Sequence, residues 1–288
     1  MAEKLSAYYQ LTKPGVLYGN VLTAAAGFFL AARGEINWWL FGAMLLGMTL
    51  VIAAACVLNN YLDQDIDRIM ARTKKRPSVT GVVKSGHIVI YGIVLLALGM
   101  TVLIAWTNWL VVAIAAVGYV TYVWLYGALS KRRSIHGTLV GSISGAMPIA
   151  AGYAAVSGQI DTGLVLAFLI MFFWQFPEFY SIAIYRRKEY AAAKIPVMSV
   201  VKGVRSTTIQ IFVYTIAYVV STLALTLTGY TGYVYFVVMA LMGGYWTWLA
   251  AIGLNAKDPE AWARRMFRFS MVTILVLCLM LSIGPVLP

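Results

Sequence analysis

The chain has 288 residues, of which 61% are hydrophobic and only 11% are charged. A soluble domain of this length needs more charge to cover its surface, so the composition excludes an ordinary soluble protein and indicates one surrounded by lipid. The formal net charge of +12 is high enough for a nucleic-acid binder.

Nine apolar stretches of about 20 residues follow one another along the chain, and each is long enough to cross the bilayer as a helix. The predicted spans are residues 15–33, 38–61, 86–106, 108–127, 135–156, 162–185, 207–228, 231–254 and 269–287. We therefore predict an all-α, polytopic membrane protein, with residues 1–288 in a single domain.

The basic residues lie almost entirely on one side of this predicted topology. With the N-terminus inside, the outward segments contain only Arg33, and the inward segments contain the other 21 of the 22 lysines and arginines. Positive charge accumulates in cytoplasmic loops. The pattern predicts a cytoplasmic N-terminus and an outward C-terminus, and it excludes nucleic acid as the reason for the charge. The same cations can attract anionic membrane lipid or an anionic substrate.

A stripe of polar residues begins where the second span ends. Asn59, Asp63 and Asp67 follow one another at intervals of four and share one helix face, whereas Asp65 falls on another. Like charges at this spacing repel each other unless a cation lies between them. Carboxylate and amide oxygens are ligands that suit Mg²⁺. The stripe therefore predicts a magnesium site.

Basic residues come directly after these acids, among them Arg72, Lys75 and Arg76. Acids that hold a metal and bases that hold phosphate oxygens together indicate a diphosphate site. The alternative is a loop whose acids pair with its own bases. The stripe begins inside an apolar helix, where polar side chains are costly, and this favours the diphosphate site.

Two later spans carry aromatic and small residues in regular patterns. Tyr119 and Tyr122 share a face of the fourth span that can stabilise a cation, although an interfacial aromatic belt is the commoner explanation. The fifth span carries Gly137, Gly141 and Gly145 at intervals of four, which predicts close helix packing.

The sixth span contains Gln175 and Glu178 beside Pro177. A carboxylate inside a membrane needs a partner or a function. The alternatives are a functional Glu178 and one that pairs with a base from a neighbouring loop.

The pattern Asn59-x-x-x-Asp63-x-x-x-Asp67, followed by Arg72-Thr-x-x-Arg76-Pro77, resembles the signature of UbiA-type intramembrane prenyltransferases. Finer motifs are similar to the haem-modifying branch of that family, the protohaem IX farnesyltransferases. These motifs are Leu11-Thr12-Lys13-Pro14-Gly15, Lys131-Arg132-x-Ser134, Trp174-Gln175-x-Pro177 and Ile195-Pro196. Together they extend over most of the chain.

The chain departs from the family pattern at two places. It lacks the second Asp-rich motif of general UbiA-type enzymes, which favours the haem branch because that branch lacks the motif too. The haem branch usually has His directly after the Pro, where this chain has Glu178. A role that needs imidazole, such as an iron contact, is therefore not carried over to this position.

The resemblance implies nine helices in a single bundle around a central cavity, in the inner membrane of a bacterium. Cytoplasmic loops near 63–85 and 186–206 would cap the active site. It implies farnesyl diphosphate and haem B as substrates, haem O as product, and Mg²⁺ as the cofactor. It also implies hand-over of haem to a terminal oxidase or a haem A synthase.

In the implied site, Asn59, Asp63 and Asp67 hold Mg²⁺, and Tyr119 and Tyr122 face the allylic cation. The implied substrate-binding residues are Arg72, Lys75, Arg76, Lys131, Arg132, Gln175, Glu178 and Arg186. Two alternatives stay open, namely prenylation of an aromatic quinone precursor and transport of a small solute with Asp63 and Glu178 as ion sites. Asp63 lies beside bases at the cytoplasmic edge, which suits a diphosphate better than a midplane ion site.

Overall fold

The computed structural model describes residues 2–288, and within them it contains helices and no β-strand. Nine of the helices in that range are long and apolar enough to cross a membrane, as predicted. They are α1 (Pro14–Ala32), α2 (Trp38–Leu62), α3 (Ser85–Trp106), α4 (Trp109–Arg133), α5 (Gly137–Ser157), α6 (Thr162–Tyr185), α7 (Gly203–Leu227), α8 (Tyr233–Gly253) and α9 (Pro259–Ile283). The protein is an all-α polytopic bundle.

Five shorter helices lie outside the spans, at Ala2–Leu11, Gln64–Ile69, Pro77–Thr80, Arg187–Ala192 and Met198–Val201. Four of them lie in the two long loops that connect α2 with α3 and α6 with α7. Here we call the end of the bundle that carries these loops the basic end.

The two long loops pack against each other across the basic end. Ile66 and Met70 of the first loop form a small buried cluster with Ala193 and Ile195 of the second. The loops therefore form one layer over that end of the bundle. Burial of these four side chains fixes the conformation of loop segments for which the sequence alone predicts no defined structure.

Helix α9 begins ten residues earlier than predicted, so most of the predicted loop 255–268 is helical. Asp258 caps the helix by accepting hydrogen bonds from two backbone N–H groups, and Pro259 occupies the first position. The first turns carry Arg264, Arg265 and Arg268, so they lack the apolar signal from which a span is recognised.

Small residues let the central helices approach each other closely. A Cβ added to Gly152 of α5 would lie 1.9 Å from the carbonyl oxygen of Ala24, and one added to Gly27 would lie 2.1 Å from that of Ile149. On the predicted glycine face, a Cβ at Gly145 would lie 2.0 Å from Gln175 Oε1. Close packing of α5 is thus confirmed, and its backbone approaches that of α1 directly.

Helix α4 changes its winding as it approaches the basic end. It is α-helical to Val120, then π-helical over Thr121–Ser130, and it continues to Arg133 instead of ending near residue 127 as predicted. A π-helical segment is rare and often marks a functional site. Here it places the rings of Tyr122 and Tyr126 5.8 Å apart.

Candidate active site

The predicted polar stripe lies at the basic end, where α2 meets the short helix Gln64–Ile69. The N–H of Asp63 donates to the carbonyl oxygen of Asn59 (3.0 Å), and that of Asp67 donates to the carbonyl oxygen of Asp63 (2.8 Å). Helical spacing therefore continues across the boundary. Asn59, Asp63 and Asp67 are buried, whereas the Asp65 side chain is 66% exposed, so the predicted separation of faces is confirmed.

Each buried carboxylate pairs with one cation. Asp63 Oδ2 accepts a hydrogen bond from Lys131 Nζ at 2.6 Å, and Asp67 Oδ2 accepts one from Arg76 Nη1 at 2.6 Å. Lys131 comes from α4, 68 residues away, whereas Arg76 lies nine residues after Asp67 in the same loop, so one pair is long-range and the other is local to the loop. Asp63 Oδ1 is buried without a hydrogen-bond partner among residues 2–288, and Asp67 Oδ1 forms no hydrogen bond there either. A buried acceptor in the state of Asp63 Oδ1 costs about 1–3 kcal/mol, which a ligand can offset.

Lys13 is a site residue that the sequence reasoning missed. Its Nζ donates to Asn59 Oδ1, and its φ of 53° lies in a left-handed conformation that costs a non-glycine residue about 1–2 kcal/mol. Burial lowers the pKa of Lys13 to about 8, and the positive charge of Arg76 acts in the same direction. Nearby, Asn60 Nδ2 donates to the carbonyl oxygen of Leu11 at 2.7 Å and fixes this segment against α2.

Arg132 lies beside the buried acids on the exposed side. Its guanidinium donates to both oxygens of Asp65, at 2.6 and 2.7 Å, and to the carbonyl oxygen of Leu62 at 2.6 Å. The hydrogen bond from Arg132 lowers the pKa of Asp65 to about 2. Arg132 thus fastens the end of α4 to the end of α2. Because these contacts already occupy its guanidinium, they do not support the predicted role in substrate binding.

The second long loop brings Tyr190 close to three of the predicted cations. Burial raises the pKa of Tyr190, while the positive charges of Arg72, Lys131 and Arg186 act in the opposite direction. Arg186 also forms an ion pair with Glu189 at 2.9 Å. Residues from α4 and from both loops therefore surround one hydroxyl group, as expected if the loops close over a shared site.

The predicted aromatic face divides into two parts. Tyr122 and Tyr126 lie close enough to Asp63 for its charge to act on their hydroxyl groups. Tyr119 instead packs, partly buried, against the main apolar core.

Lys75 is exposed and forms no ion pair within residues 2–288.

Gln175 has a packing role in the structure. Its Nε2 donates to the carbonyl oxygens of Ser142 (3.0 Å) and Met171 (2.9 Å), and the side chain is buried. The first hydrogen bond joins α6 to α5, and the second lies within α6, so the structure gives the amide nitrogen of Gln175 a packing role instead of the predicted contact with substrate. Gly145 provides the space for this amide.

Glu178 lies one turn further along α6 and forms no hydrogen bond or ion pair in the described part of the chain. Gln175 faces α5, and Trp174 faces α9 through a hydrogen bond from Nε1 to the carbonyl oxygen of Ser270. At 100° per residue, Glu178 points between these two directions. The pairing alternative for Glu178 therefore finds no support in the structure.

The buried acids fit one kind of metal site. Residues 2–288 contain no cluster of three or more His, Cys, Asp or Glu that can hold an ion. Two carboxylates with free oxygens suit Mg²⁺, which commonly binds through one or two carboxylates while substrate phosphates and water complete its shell. Lys13, Arg76 and Lys131 supply positive charge around the same place. The arrangement suits a metal-bound diphosphate whose apolar chain enters the bundle.

Comparisons with known sequences agree with this chemistry. The profile of the UbiA prenyltransferase family matches residues 20–272. A protein of Chromohalobacter salexigens named "Protoheme IX farnesyltransferase" is 49% identical over 97% of this chain and 95% of its own length. A protein of the same name from Yersinia pseudotuberculosis is 46% identical with the same coverage.

Solved structures have the same fold at low sequence identity. A structure of digeranylgeranylglyceryl phosphate synthase superimposes with a TM-score of 0.84 over 99% of both chains, at 17% identity. A UbiA homologue from Archaeoglobus fulgidus, bound to DMAPP and Mg²⁺, gives a TM-score of 0.73 at 16% identity and covers 96% of this chain and 98% of its own.

Proposed function

The chain belongs to the UbiA prenyltransferase family, and we propose that it transfers a farnesyl group from farnesyl diphosphate to a vinyl group of haem B, giving haem O. The close relatives carry the name of this activity over nearly their whole length. The observation that carries the proposal in this chain is the buried pair Asp63 and Asp67, each with one free carboxylate oxygen among the cations at the basic end.

Asp63 and Asp67, with Asn59 beside them, would hold Mg²⁺. When bound, this ion would neutralise the charge that develops on the departing diphosphate. Lys13, Arg76 and Lys131 bind the remaining phosphate oxygens, and Arg72 and Lys75 extend this positive surface toward the loops. Their charges stabilise the leaving group as the bond between carbon 1 and oxygen breaks.

The farnesyl chain lies among the apolar helices, where water is largely excluded from the allylic cation. Tyr122, beside Asp63, offers an electron-rich ring to that cation, and Tyr119 lines the chain further along α4. The vinyl group of haem then forms a bond to carbon 1. Water adds to the resulting cation and loses one proton, which gives a hydroxyethyl product.

Glu178 belongs to the acceptor side of this proposal. It is a carboxylate on α6 with no partner within residues 2–288, it points between α5 and α9, and it stands where the haem branch usually has His. We assign it contact with the haem or with the water that adds. We assign Arg186, in the loop that follows α6, to a haem propionate.

The loops near 63–85 and 186–206 cap this site, which is supported by the buried cluster they share and by the cations around Tyr190. Because 21 of the 22 basic residues lie at that end, we place it in the cytoplasm of a bacterium, with the protein in the inner membrane. The N-terminus is then cytoplasmic and the C-terminus outside. The product haem passes to a terminal oxidase or a haem A synthase.

The test is a product assay by mass spectrometry on purified protein with farnesyl diphosphate and Mg²⁺. We expect haem B to gain the mass of one farnesyl group plus one hydroxyl group. Prenylation of an aromatic quinone precursor, with haem unchanged, would keep the diphosphate site and overturn the acceptor. A folded protein that modifies neither acceptor but moves solute across vesicles would be the transporter of the alternative hypothesis.

A further inference from the structure

A groove on the outside of the bundle lies between α8 and α9 at the basic end, away from the buried acids. It encloses about 530 Å³. We call it the α8–α9 groove, and its walls include Trp248, Ile252, Phe269 and Val272. Trp248 is 56% exposed and Val272 is 48% exposed, so the groove opens toward the surrounding lipid.

The floor of the groove is built by Trp262. Its Nε1 donates to the carbonyl oxygen of Leu249 at 2.8 Å, and its ring occupies space that Gly253 leaves free. Trp262 is buried, and further along α9 Met266 and Ser270 are fully buried on the inner face. This floor separates the groove from the interior of the bundle, so the groove is a preformed surface site and not part of the active site.

The mouth of the groove is positively charged. Lys257, Arg265 and Arg268 line it, and none of them forms an ion pair with an acid in residues 2–288. Asp258 lies there too, but its Oδ1 already accepts two hydrogen bonds from the backbone at the start of α9. With three cations and one carboxylate, the mouth keeps an excess of positive charge.

The arrangement suits a ligand with an anionic head at the level of the helix ends and an apolar body along the helices. We propose that the α8–α9 groove binds an anionic phospholipid of the leaflet at the basic end. Basic pockets between membrane helices bind such headgroups, because each Lys or Arg near the surface attracts anionic lipid. The acyl chains lie on the exposed faces of Trp248 and Val272. The inference does not depend on the acceptor proposed above.

The experiment titrates the full-length protein in neutral detergent with phosphatidylglycerol or phosphatidylcholine of identical acyl chains. Native mass spectrometry counts the retained lipids. Wild type should retain one phosphatidylglycerol about tenfold more tightly than phosphatidylcholine. The double variant Arg265→Gln/Arg268→Gln should lose this preference, and Ala261→Phe, which fills the groove without changing charge, should lose the bound lipid.

The matched control is Arg264→Gln on the same helix. Arg264 pairs with Glu260 and stacks on Tyr185, and it does not line the groove. This variant should bind phosphatidylglycerol like wild type. Equal retention of the two lipids by wild type, or unchanged selectivity in the double variant, would overturn the proposal. Displacement of the lipid by equimolar haem or farnesyl diphosphate would also overturn it, because the groove would then be a substrate site.

Discussion

Two helices four spans apart, α2 and α6, both lead into a long loop at the basic end, yet their polar residues do different work. Asp63 at the end of α2 and Asp67 in the loop that follows are buried, and they pair with Lys131 of α4 and with Arg76 of the same loop. In the second half of α6, two to three turns before its end, Gln175 is used for packing and Glu178 has no partner within residues 2–288. Under the proposed function, the diphosphate chemistry belongs to the first half of the chain, and the second half supplies structure and the acceptor side.

The largest effect is expected at the end of α2. Asp63→Ala removes a carboxylate that we assign to the metal, and turnover should fall about a thousandfold or more. Asp65→Ala, two residues away but exposed, should keep turnover within about twofold, since surface groups of this kind contribute little. Steady-state turnover of both variants gives the measurement. Comparable losses of turnover in the two variants would contradict the different roles that we assign to the buried and the exposed helix face.

The next largest effect is expected at Lys13, which contacts Asn59. Lys13→Ala should raise the KM for farnesyl diphosphate about tenfold, because one charge-assisted contact to a phosphate oxygen is lost. Lys4→Ala is the matched control in the same segment, where Lys4 is exposed. An unchanged KM in the Lys13 variant would mean that Lys13 does not bind the diphosphate and that its charge serves only the orientation of the protein in the membrane.

Gln175 should affect stability more than chemistry. Gln175→Leu removes one buried hydrogen bond to Ser142 of α5 and one to Met171 within α6, at a combined cost of about 1–3 kcal/mol. We expect a lower Tm in detergent and nearly normal turnover per folded molecule. If Tm stays the same while a substrate KM rises, Gln175 is a binding residue after all.

Glu178 should affect only the acceptor. Glu178→Gln keeps the shape of the side chain and removes its charge, so the KM for haem should rise several-fold, on the order of 1 kcal/mol, while that for farnesyl diphosphate stays constant. Glu260→Gln, at an exposed position on α9, is the control. A change in the KM for farnesyl diphosphate alone would move Glu178 to the donor side and weaken the division between the two halves.

The smallest effect is expected from the pair Arg132 and Asp65. Because the Asp65 side chain is 66% exposed, solvent screens the pair, and a double-mutant cycle with Arg132→Gln and Asp65→Asn should give a coupling of at most about 1 kcal/mol. Thermal unfolding of the two single variants and the double variant measures it. A coupling of several kcal/mol would mean that this pair holds the site together.

Local pattern was enough to predict much of the molecule. Apolar length marked nine spans, and the interval of four separated the buried Asp63 and Asp67 from the exposed Asp65. Both signals are local, since they depend on helix geometry and on residues within a few turns of each other. The early start of α9 was missed because its first turns are basic and amphipathic, so hydropathy does not mark them.

Contacts between distant residues could not be predicted in the same way. The sequence marked Lys131 as a phosphate ligand, but its pairing with Asp63 joins residues 68 positions apart. Lys13 reaches Asn59 only because the segment before α1 lies against α2. Gln175 looked like a binding residue, and its packing role depends on the space left by Gly145 in another helix. A count of apolar residues does not predict the π-helical segment of α4 either.

The most direct measurement is calorimetric binding of farnesyl diphosphate to the purified protein, with and without Mg²⁺, in wild type and Asp63→Ala. If the acid pair holds the metal against the diphosphate, wild type binds at least about tenfold more tightly with Mg²⁺, and the variant shows no such dependence. Equal Mg²⁺ dependence in the two proteins would contradict the account, because the metal would then bind elsewhere.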